Sequence, residues 1–571
     1  MKKLADLHEV FVGFNARRIE GASLEFYNGR LVSGLTKEEV LFKYSYVVGD
    51  AGSSEGRGSQ KIFQAERYGG DGILRNGGGG RCGFDGEYQL KGIGPNELVS
   101  EDAGDAHGNG FLSLESAIYE SIWAEIINIA LPYGAVRTVA VINTWTKFEQ
   151  HGVKYWRGLL VREPAVRPAH FIRALYFKER FTSLLSSDAK RVRSTVQRLA
   201  EFLPFDPGWA SERRLDIRLH RGLVELTKRY ARQFAAARAK RIIHYNVSAS
   251  NLSIDGGWMD LSGAGVFSQL ILGDKTDIDR FLNEYLPALN AIRCICYNLG
   301  KYRVIDRHFA ESLFECVLAQ FESEYELQFG YYLALQVGFS PFLLRACMGS
   351  AQFLAFSAAL KSVLLADEFS VFSVSGEKGK CGSGFWALGL YESLLWNEVF
   401  DLSRESSWPL ISSVKLERLR STYSALFDLV TSQATLDGIE RAGLVRGMAI
   451  NLIRLNRRGQ SLLDLKARVS DLWGNKEKSC SFATIDELTS ESVFAAAINY
   501  GHEEECLVPF WEGASVRVFY DIRHDCFQVA LEGAEFFIVS SFCDVVNVCE
   551  ETMRARLYYK PIWNFFYEED L

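Results

Sequence analysis

The stretch HYNVSASNLSIDGGWMDLSGAGVF, residues 244–267, decides the fold. Within it Asp255-Gly256 is a strong signal for a tight turn, because glycine supplies the positive φ that two-residue hairpins need. The turn joins Leu252-Ser253-Ile254 to Trp258-Met259-Asp260 and brings Asn251 near Asp260. Both side chains offer hard oxygen atoms, which suit magnesium better than softer metals.

On the N-terminal side of this hairpin the pattern is helical through residues 168–241, and on its C-terminal side from 277 to about 475. VREPAVRP, residues 161–168, carries two prolines that discourage continued regular structure and separates this helical region from what precedes it. Residues 1–165 are glycine-rich and strand-like, with runs such as EYQLKG and RTVAVINTW and one amphipathic segment, SLESAIYESIWAEIINIAL. In that segment Leu114, Ile118, Ile122 and Ile126 recur every four residues, so one face packs on a sheet, with Glu120 and Glu125 off the stripe's centre. From CLVPFWEG onward, SVRVFYDI, CFQVAL and EFFIVSS alternate and are separated by turn signals. The expectation is an α+β chain: a β-rich lobe over 1–165, a helical lobe over 166–500 holding the hairpin at 244–265, and a β-rich C-terminal module over 501–571.

Phosphoryl and nucleotidyl transfer need a cation on the phosphates, an acid to fix that cation, metal ligands, and backbone amides near the phosphates. Lys91 closes a strand in EYQLKGIGPN and Glu120 lies on the following helix, a spacing that allows the two to pair. The order is a glycine-rich segment (NGGGG at 76–80, with GDAGSSEGRGS at 49–59 before it), strand lysine, helix glutamate, domain crossover, then Asn251 and Asp260 on a hairpin. That order matches the bilobal protein-kinase-like fold, with ATP and Mg2+ as the expected cofactors.

QLKGIGP (89–95) resembles the QLKGAGP segment of the selenoprotein O family, which transfers AMP from ATP to protein hydroxyls. SAIYESIWAEIINIALPYGAVRT resembles that family's helix segment and puts Glu120 on its helix glutamate. VRPAHFIRALYF places Arg167 and Arg173 near its two phosphate-contacting arginines, with one residue fewer between them than in the family pattern. The 244–267 stretch is similar, without a gap, to the family's metal-binding segment and puts Asn251 and Asp260 on the two metal ligands. NGGGGRC falls where the family has a glycine turn, so Arg81 takes the place of that turn's arginine, and His244 corresponds to a loop histidine for which a packed role is expected. The resemblance runs from about residue 70 to 270. The chain ends in NFFYEEDL, with no counterpart of the family's redox-linked C-terminal cysteine and selenocysteine element.

One position departs from the pattern. Ser250 stands where the family has its acidic residue, the base that accepts a proton from an attacking hydroxyl. Asp255 and Asp277 are near in sequence but not at that position. A base typically contributes roughly 10² to 10⁴ in rate, so a protein hydroxyl is a poor acceptor here. A carboxylate is already ionised at neutral pH and loses little. The resemblance and the missing base together imply AMP transfer to a peptide or protein carboxylate. The acyl-adenylate so formed would pass its acyl group on with the help of an acyltransferase-like partner, as in maturation of siderophore-bearing microcins. AMPylation or phosphorylation of protein hydroxyls is one alternative, and an ATP-binding scaffold without turnover is another.

Composition is compatible with this. Of 571 residues 48% are hydrophobic and 24% charged, the proportions of a globular chain large enough for two or three domains. The eleven cysteines form no CxxC pair, and Cys294 and Cys296 have the wrong offset for a zinc knuckle, so reduced thiols are expected, Cys82 among them. In MKKLADLHEVFVGF, Asp6, His8 and Glu9 interrupt any apolar leader, and no run reaches the length of a membrane span, so a cytoplasmic protein is expected. A net charge of −7 gives no general case for nucleic acid. Residues 190–241 are locally basic, with 14 Lys/Arg against five Asp/Glu, which suggests either a solvated helix face or a docking surface for an acidic partner.

Overall fold

Apolar alternation in TVAVINTW and GLLVR builds the two longest strands, β7 (Thr138–Gln150) and β8 (Val153–Arg162). In the computed structural model Val141 and Leu160 face one hydrophobic core, while Ala140, Ile142, Leu159 and Val161 face another on the opposite side of the sheet. The structure describes residues 1–29, 31, 34–49, 59–71, 76–99, 108–174, 188–209, 211–267, 275–366, 386–400, 411–457, 460–474, 482–501 and 506–567. GDAGSSEGRGS lies, apart from its two end residues, outside them.

The remaining strands of the sheet are β1 (Phe11–Arg18), β2 (Ser23–Tyr27), β3 (Tyr46–Val47), β4 (Gln60–Glu66), β5 (Cys82–Phe84) and β6 (Gln89–Lys91). The order is β2-β7-β8-β6-β5-β4-β1-β3, with neighbours antiparallel. A short helix, α1 (Lys37–Tyr44), begins at Thr36, whose hydroxyl accepts from the Glu39 amide while Glu39 accepts from the Thr36 amide. TKEE carries this capping box, a helix start within a region whose composition is otherwise strand-like. The amphipathic segment forms α2 (Leu114–Ala130), capped by Ser113, and lays Ile118, Ile122 and Ile126 against the sheet in the larger core.

Beyond residue 187 the described chain is predominantly helical up to residue 500. The main helices are α3 (Asp188–Gln197), α4 (Leu215–Lys240), α5 (Lys275–Leu282), α6 (Leu286–Lys301), α7 (Arg307–Gln336), α8 (Pro341–Cys347), α9 (Ala351–Leu364), α10 (Trp386–Phe400), α11 (Ser413–Leu436), α12 (Arg441–Asn456) and α13 (Phe482–Tyr500). No single helix among the described residues is long and apolar enough to cross a membrane; only the bent pair α8 and α9, at 111°, passes on length and composition together. Part of the basic stretch 190–241 is absorbed by pairing: Arg191 with Asp188, Arg198 with Glu9 and Glu201, Arg229 with Glu225, and Arg232 with Glu324. Of these pairs Arg232–Glu324 joins two helices, α4 and α7, and the others neutralise charge locally.

Between α4 and α5, the strands β9 (Ile242–Ile243) and β10 (Gly265–Val266) pair and close the 244–264 segment at its base. The C-terminal sheet has β11 (Leu507–Glu512), β12 (Val516–Asp521), β13 (Cys526–Leu531) and β14 (Phe537–Val539) in sequential order. The segment after it is helical (Phe542–Val545, Glu550–Tyr558 and Asn564–Tyr567), because EETMRARLYY has helix formers in place of alternation. This C-terminal piece joins the main core. Gly443 of α12 approaches the Ile522 carbonyl so closely that a Cβ would lie 2.2 Å from the oxygen, and the Tyr559 hydroxyl donates to the Phe510 carbonyl.

Candidate functional site

The chain reverses where the sequence places a turn, but the turn is wider than the expected two-residue hairpin: the Gly256 amide donates to the Ser253 carbonyl, which centres it on Ile254-Asp255, and the flanking segments meet in a single bridge. Leu252 and Trp258 bridge, the Ser253 amide donates to the Gly257 carbonyl, and Gly256 takes φ +111°. The Met259 amide then donates to the Asn251 carbonyl, which holds the two candidate metal ligands on adjacent rungs. Backbone bonds from Val136 to Trp258 and from Ile254 to Val166 fasten the hairpin to the strand-rich half. The His244 ring donates through Nε2 to the Met259 carbonyl (2.9 Å) and accepts at Nδ1 from the Asn246 amide, so it is a fully buried brace. Burial pushes its pKa down.

Lys91 ends β6 between Cys82 of β5 and Leu160 of β8, with its side chain only 2% exposed. A buried ammonium must be paired. Lys91 Nζ donates to Glu120 Oε2 at 2.7 Å and Oε1 at 3.1 Å, and also to Asp260. Strand lysine, helix glutamate and hairpin aspartate therefore meet, although 169 residues separate Lys91 from Asp260. Asp260 has φ +61°, the left-handed region, which turns its carboxylate back toward Lys91.

Two arginines complete the cluster. Arg162, the last residue of β8, donates to Glu120 (3.2 Å), Asp260 (2.9 Å) and Gln89 (2.6 Å). Arg167 donates to Asp260 (3.3 Å) and to the Ser250 carbonyl (2.6 Å), and faces Glu66 at 3.7 Å. Burial opposes ionisation of Asp260, but Arg162, Lys91 and Arg167 together hold its carboxyl well below the usual range. Burial likewise opposes the charge on Glu66, which His170 and Arg167 restore. Three cations thus face three carboxylates.

Of the two arginines offered by the sequence, Arg167 enters the cluster and Arg173 does not. The 3-10 turn Pro168–Phe171 separates them, so residue spacing alone could not decide. Arg173 instead packs its backbone against Gly69, where a Cβ would lie 2.2 Å from the Arg173 carbonyl carbon. Arg162, Glu66, Gln89 and His170 were missed in the sequence.

A cleft of about 550 Å³ opens onto this cluster, lined by Arg81, Lys91, Ser250, Asn251, Asp260 and Arg280 among others. Its volume falls in the range of small-molecule sites. The glycine turn forms one wall. Gly78 has φ +141° and a Cβ there would lie 2.1 Å from the Glu66 carbonyl oxygen, so packing alone demands that glycine. Arg81 reaches the cleft from this turn and uses one nitrogen on the Phe111 carbonyl (3.2 Å). Ser250 is buried, its hydroxyl 2.9 Å from that of Ser248 and donating to Asn251 Oδ1 at 3.2 Å. Asp260 is the one carboxylate among the described lining residues. Asp255 turns instead into a separate cavity behind the connection Glu163–Val166, and Asp277 lies 3.9 Å from Arg280.

The donor set fits a magnesium ion that arrives with phosphate. Asp260 and Asn251 supply oxygen, and magnesium commonly takes one or two protein oxygens plus phosphate and water. No group of three or more His, Cys, Asp or Glu that could hold a metal alone occurs among the described residues.

The buried Glu66–His170 pair gives a pH prediction. Burial lowers the His170 pKa more than Glu66 raises it, and the ring donates from Nε2 to Glu66 at 2.9 Å as a neutral imidazole. The unfolded chain therefore takes up a proton near pH 6.5, before the folded chain does. Stability from His170 is present above that pH and is lost as pH falls through and below it. By urea unfolding, His170→Gln is expected to be about 1–3 kcal/mol less stable than wild type at pH 7.5, with a smaller gap at pH 5.5. A gap that widens at pH 5.5 contradicts the neutral assignment.

The chain matches no known family model and no curated protein sequence.

Proposed function

We propose that the cleft binds ATP with magnesium and transfers AMP to an acceptor that arrives already ionised, a peptide or protein carboxylate. The observation that carries this reading is Lys91 shared between Glu120 and Asp260, in a cleft where Asp260 is the one carboxylate among the described lining residues. The strand lysine and helix glutamate form the ion pair expected of a protein-kinase-like bilobal site, and the resemblance to the selenoprotein O family gives the AMP-transferring direction.

Lys91 would move onto phosphate while Glu120 keeps it in place. Asp260 and Asn251 would hold magnesium, which neutralises phosphate charge when bound. A carboxylate oxygen of the acceptor attacks the α-phosphorus, the bond from that phosphorus to the bridging oxygen breaks, and pyrophosphate leaves. No proton has to be removed from the acceptor. Asp260 is a poor base because three cations surround it, and the neutral hydroxyl of Ser250 is too weak a base for the task. The acyl-adenylate then transfers its acyl group to an alcohol or amine, which loses its proton as the bond from the acyl carbon to the phosphate oxygen breaks and AMP leaves, the step for which an acyltransferase-like partner is proposed.

The test is to incubate the protein with ATP, magnesium and a peptide bearing a free C-terminal carboxylate. Released pyrophosphate and a hydroxylamine-sensitive adduct on the peptide are expected. ADP in place of pyrophosphate would indicate kinase chemistry, and thermal stabilisation by ATP without turnover would indicate a scaffold.

A further inference from the structure

Arg280, on α5, lines the same cleft as Lys91, Asn251 and Asp260, and nothing in the sequence pattern singled it out. Its guanidinium sits 4.5 Å from the centre of the Tyr245 ring, and its ion pair with Asp277 is long at 3.9 Å. Tyr245 is a fixed platform. It holds a left-handed backbone (φ +72°), and Glu284 accepts from its amide at 2.6 Å and from the His244 amide at 3.2 Å. The side chain of Arg280 is 44% exposed, so it is held in place by Tyr245 without being buried.

The charge balance of the cleft gives this residue a role. Lys91, Arg162 and Arg167 are already matched by Glu66, Glu120 and Asp260 in a buried cluster of ion pairs. An incoming polyphosphate brings more negative charge than one magnesium ion neutralises, and that surplus is met by cations outside the buried cluster. Two described lining residues on different elements have guanidinium groups outside that cluster, and of these Arg280 keeps only the 3.9 Å pair with Asp277. Arg81 stands on the glycine turn with a single carbonyl partner, and Arg280 stands on the helical wall. Planar guanidinium groups with spare N–H donors are suited to phosphate oxygens.

We infer that Arg280 and Arg81 form a two-sided clamp for a polyphosphate chain, Arg280 gripping it from the helical wall. The inference rests on the nucleotide reading of the cleft for its physiological ligand, but the clamp itself is a property of the anion site. Arg280→Ala removes the grip with little effect on packing, because the side chain is half in solvent.

The probes are tripolyphosphate, ATP and AMP, each titrated with magnesium by calorimetry into wild type, Arg280→Ala and Arg280→Lys, with urea unfolding as the check on folding. Arg280→Ala is expected to bind tripolyphosphate and ATP about 10- to 100-fold more weakly and AMP within about twofold of wild type, with Arg280→Lys between the two. Equal binding of tripolyphosphate by wild type and Arg280→Ala overturns the clamp, as does an equal loss for AMP and ATP. Wild type that binds tripolyphosphate but not ATP overturns the nucleotide reading and leaves the clamp standing. Wild type that binds ATP as tightly as Arg280→Ala does overturns the clamp and leaves the nucleotide reading standing, and wild type that binds neither anion overturns both.

Discussion

Asp260→Asn is expected to abolish magnesium-dependent ATP binding and to reduce turnover by at least about 10²- to 10³-fold, the loss seen when one preorganised charge-stabilising group is removed. The reason lies in how many groups converge on this carboxylate. Lys91, Arg162 and Arg167 all donate to it, so its loss leaves Glu120 and Glu66 to balance three buried cations. Breaking a buried ion pair from one side costs about 3–5 kcal/mol, and the 19% exposure of the Asp260 side chain puts the expected loss of stability at or below the low end, about 2–3 kcal/mol. Asparagine is the informative replacement. It tolerates the left-handed backbone at φ +61°, whereas Asp260→Ala adds a backbone penalty of about 1–2 kcal/mol. Urea unfolding of both variants separates charge from strain, and ATP-dependent thermal shifts with and without magnesium read the site. Full magnesium-dependent binding in a folded Asp260→Asn protein would sink the metal assignment.

The parts of this site that were legible in the sequence are those with a local signature. Asp255-Gly256 marked the reversal, one residue beyond the centre of the turn that forms at Ile254-Asp255, and the reversal brings the segments of Asn251 and Asp260 together. The four-residue recurrence of isoleucine and leucine placed α2 on a sheet, and Glu120 could then be matched with Lys91 through the order of elements. Arg162 and Glu66 gave no such signal. Each ends a strand whose apolar neighbours explain its burial, and their partners lie far away in the chain: Arg162 meets Glu120 42 residues and Asp260 98 residues away, and Glu66 meets His170 104 residues away. Nothing periodic in a sequence encodes contacts of that range. Arg280 was hidden for another reason. On an amphipathic helix it reads as surface charge, and only the placement of α5 beside Tyr245 turns it into a cleft residue. The final helices were misread because aromatic and β-branched residues just before them, in EFFIVSS, extend the strand pattern up to Ser541, where a cap begins the next helix.

Ser250→Asp is expected to give the protein a new acceptor class. In wild type the Ser250 hydroxyl donates to Asn251 Oδ1 and sits beside the Ser248 hydroxyl, so the position faces the cleft next to a candidate metal ligand. A carboxylate there could take the proton of an attacking hydroxyl, a contribution of roughly 10² to 10⁴ in rate. AMP transfer to a serine-containing peptide with blocked ends should rise by about that factor. Transfer to a peptide that has a free C-terminal carboxylate and no hydroxyl should not rise, because that acceptor has no proton to give up and the new charge repels it. Both peptides can be followed by intact mass and by pyrophosphate release, and the ratio of the two rates does not depend on how much of the variant is folded. A strong gain on the carboxylate peptide, or wild-type transfer to the hydroxyl peptide as fast as the variant's, would mean that Ser250 is not the reason for the acceptor preference. Ser250 then has to be read as a packing choice in the hairpin approach, and the ionised-acceptor proposal loses its chemical basis, while the Lys91–Glu120–Asp260 cluster stands or falls by the Asp260 variants alone.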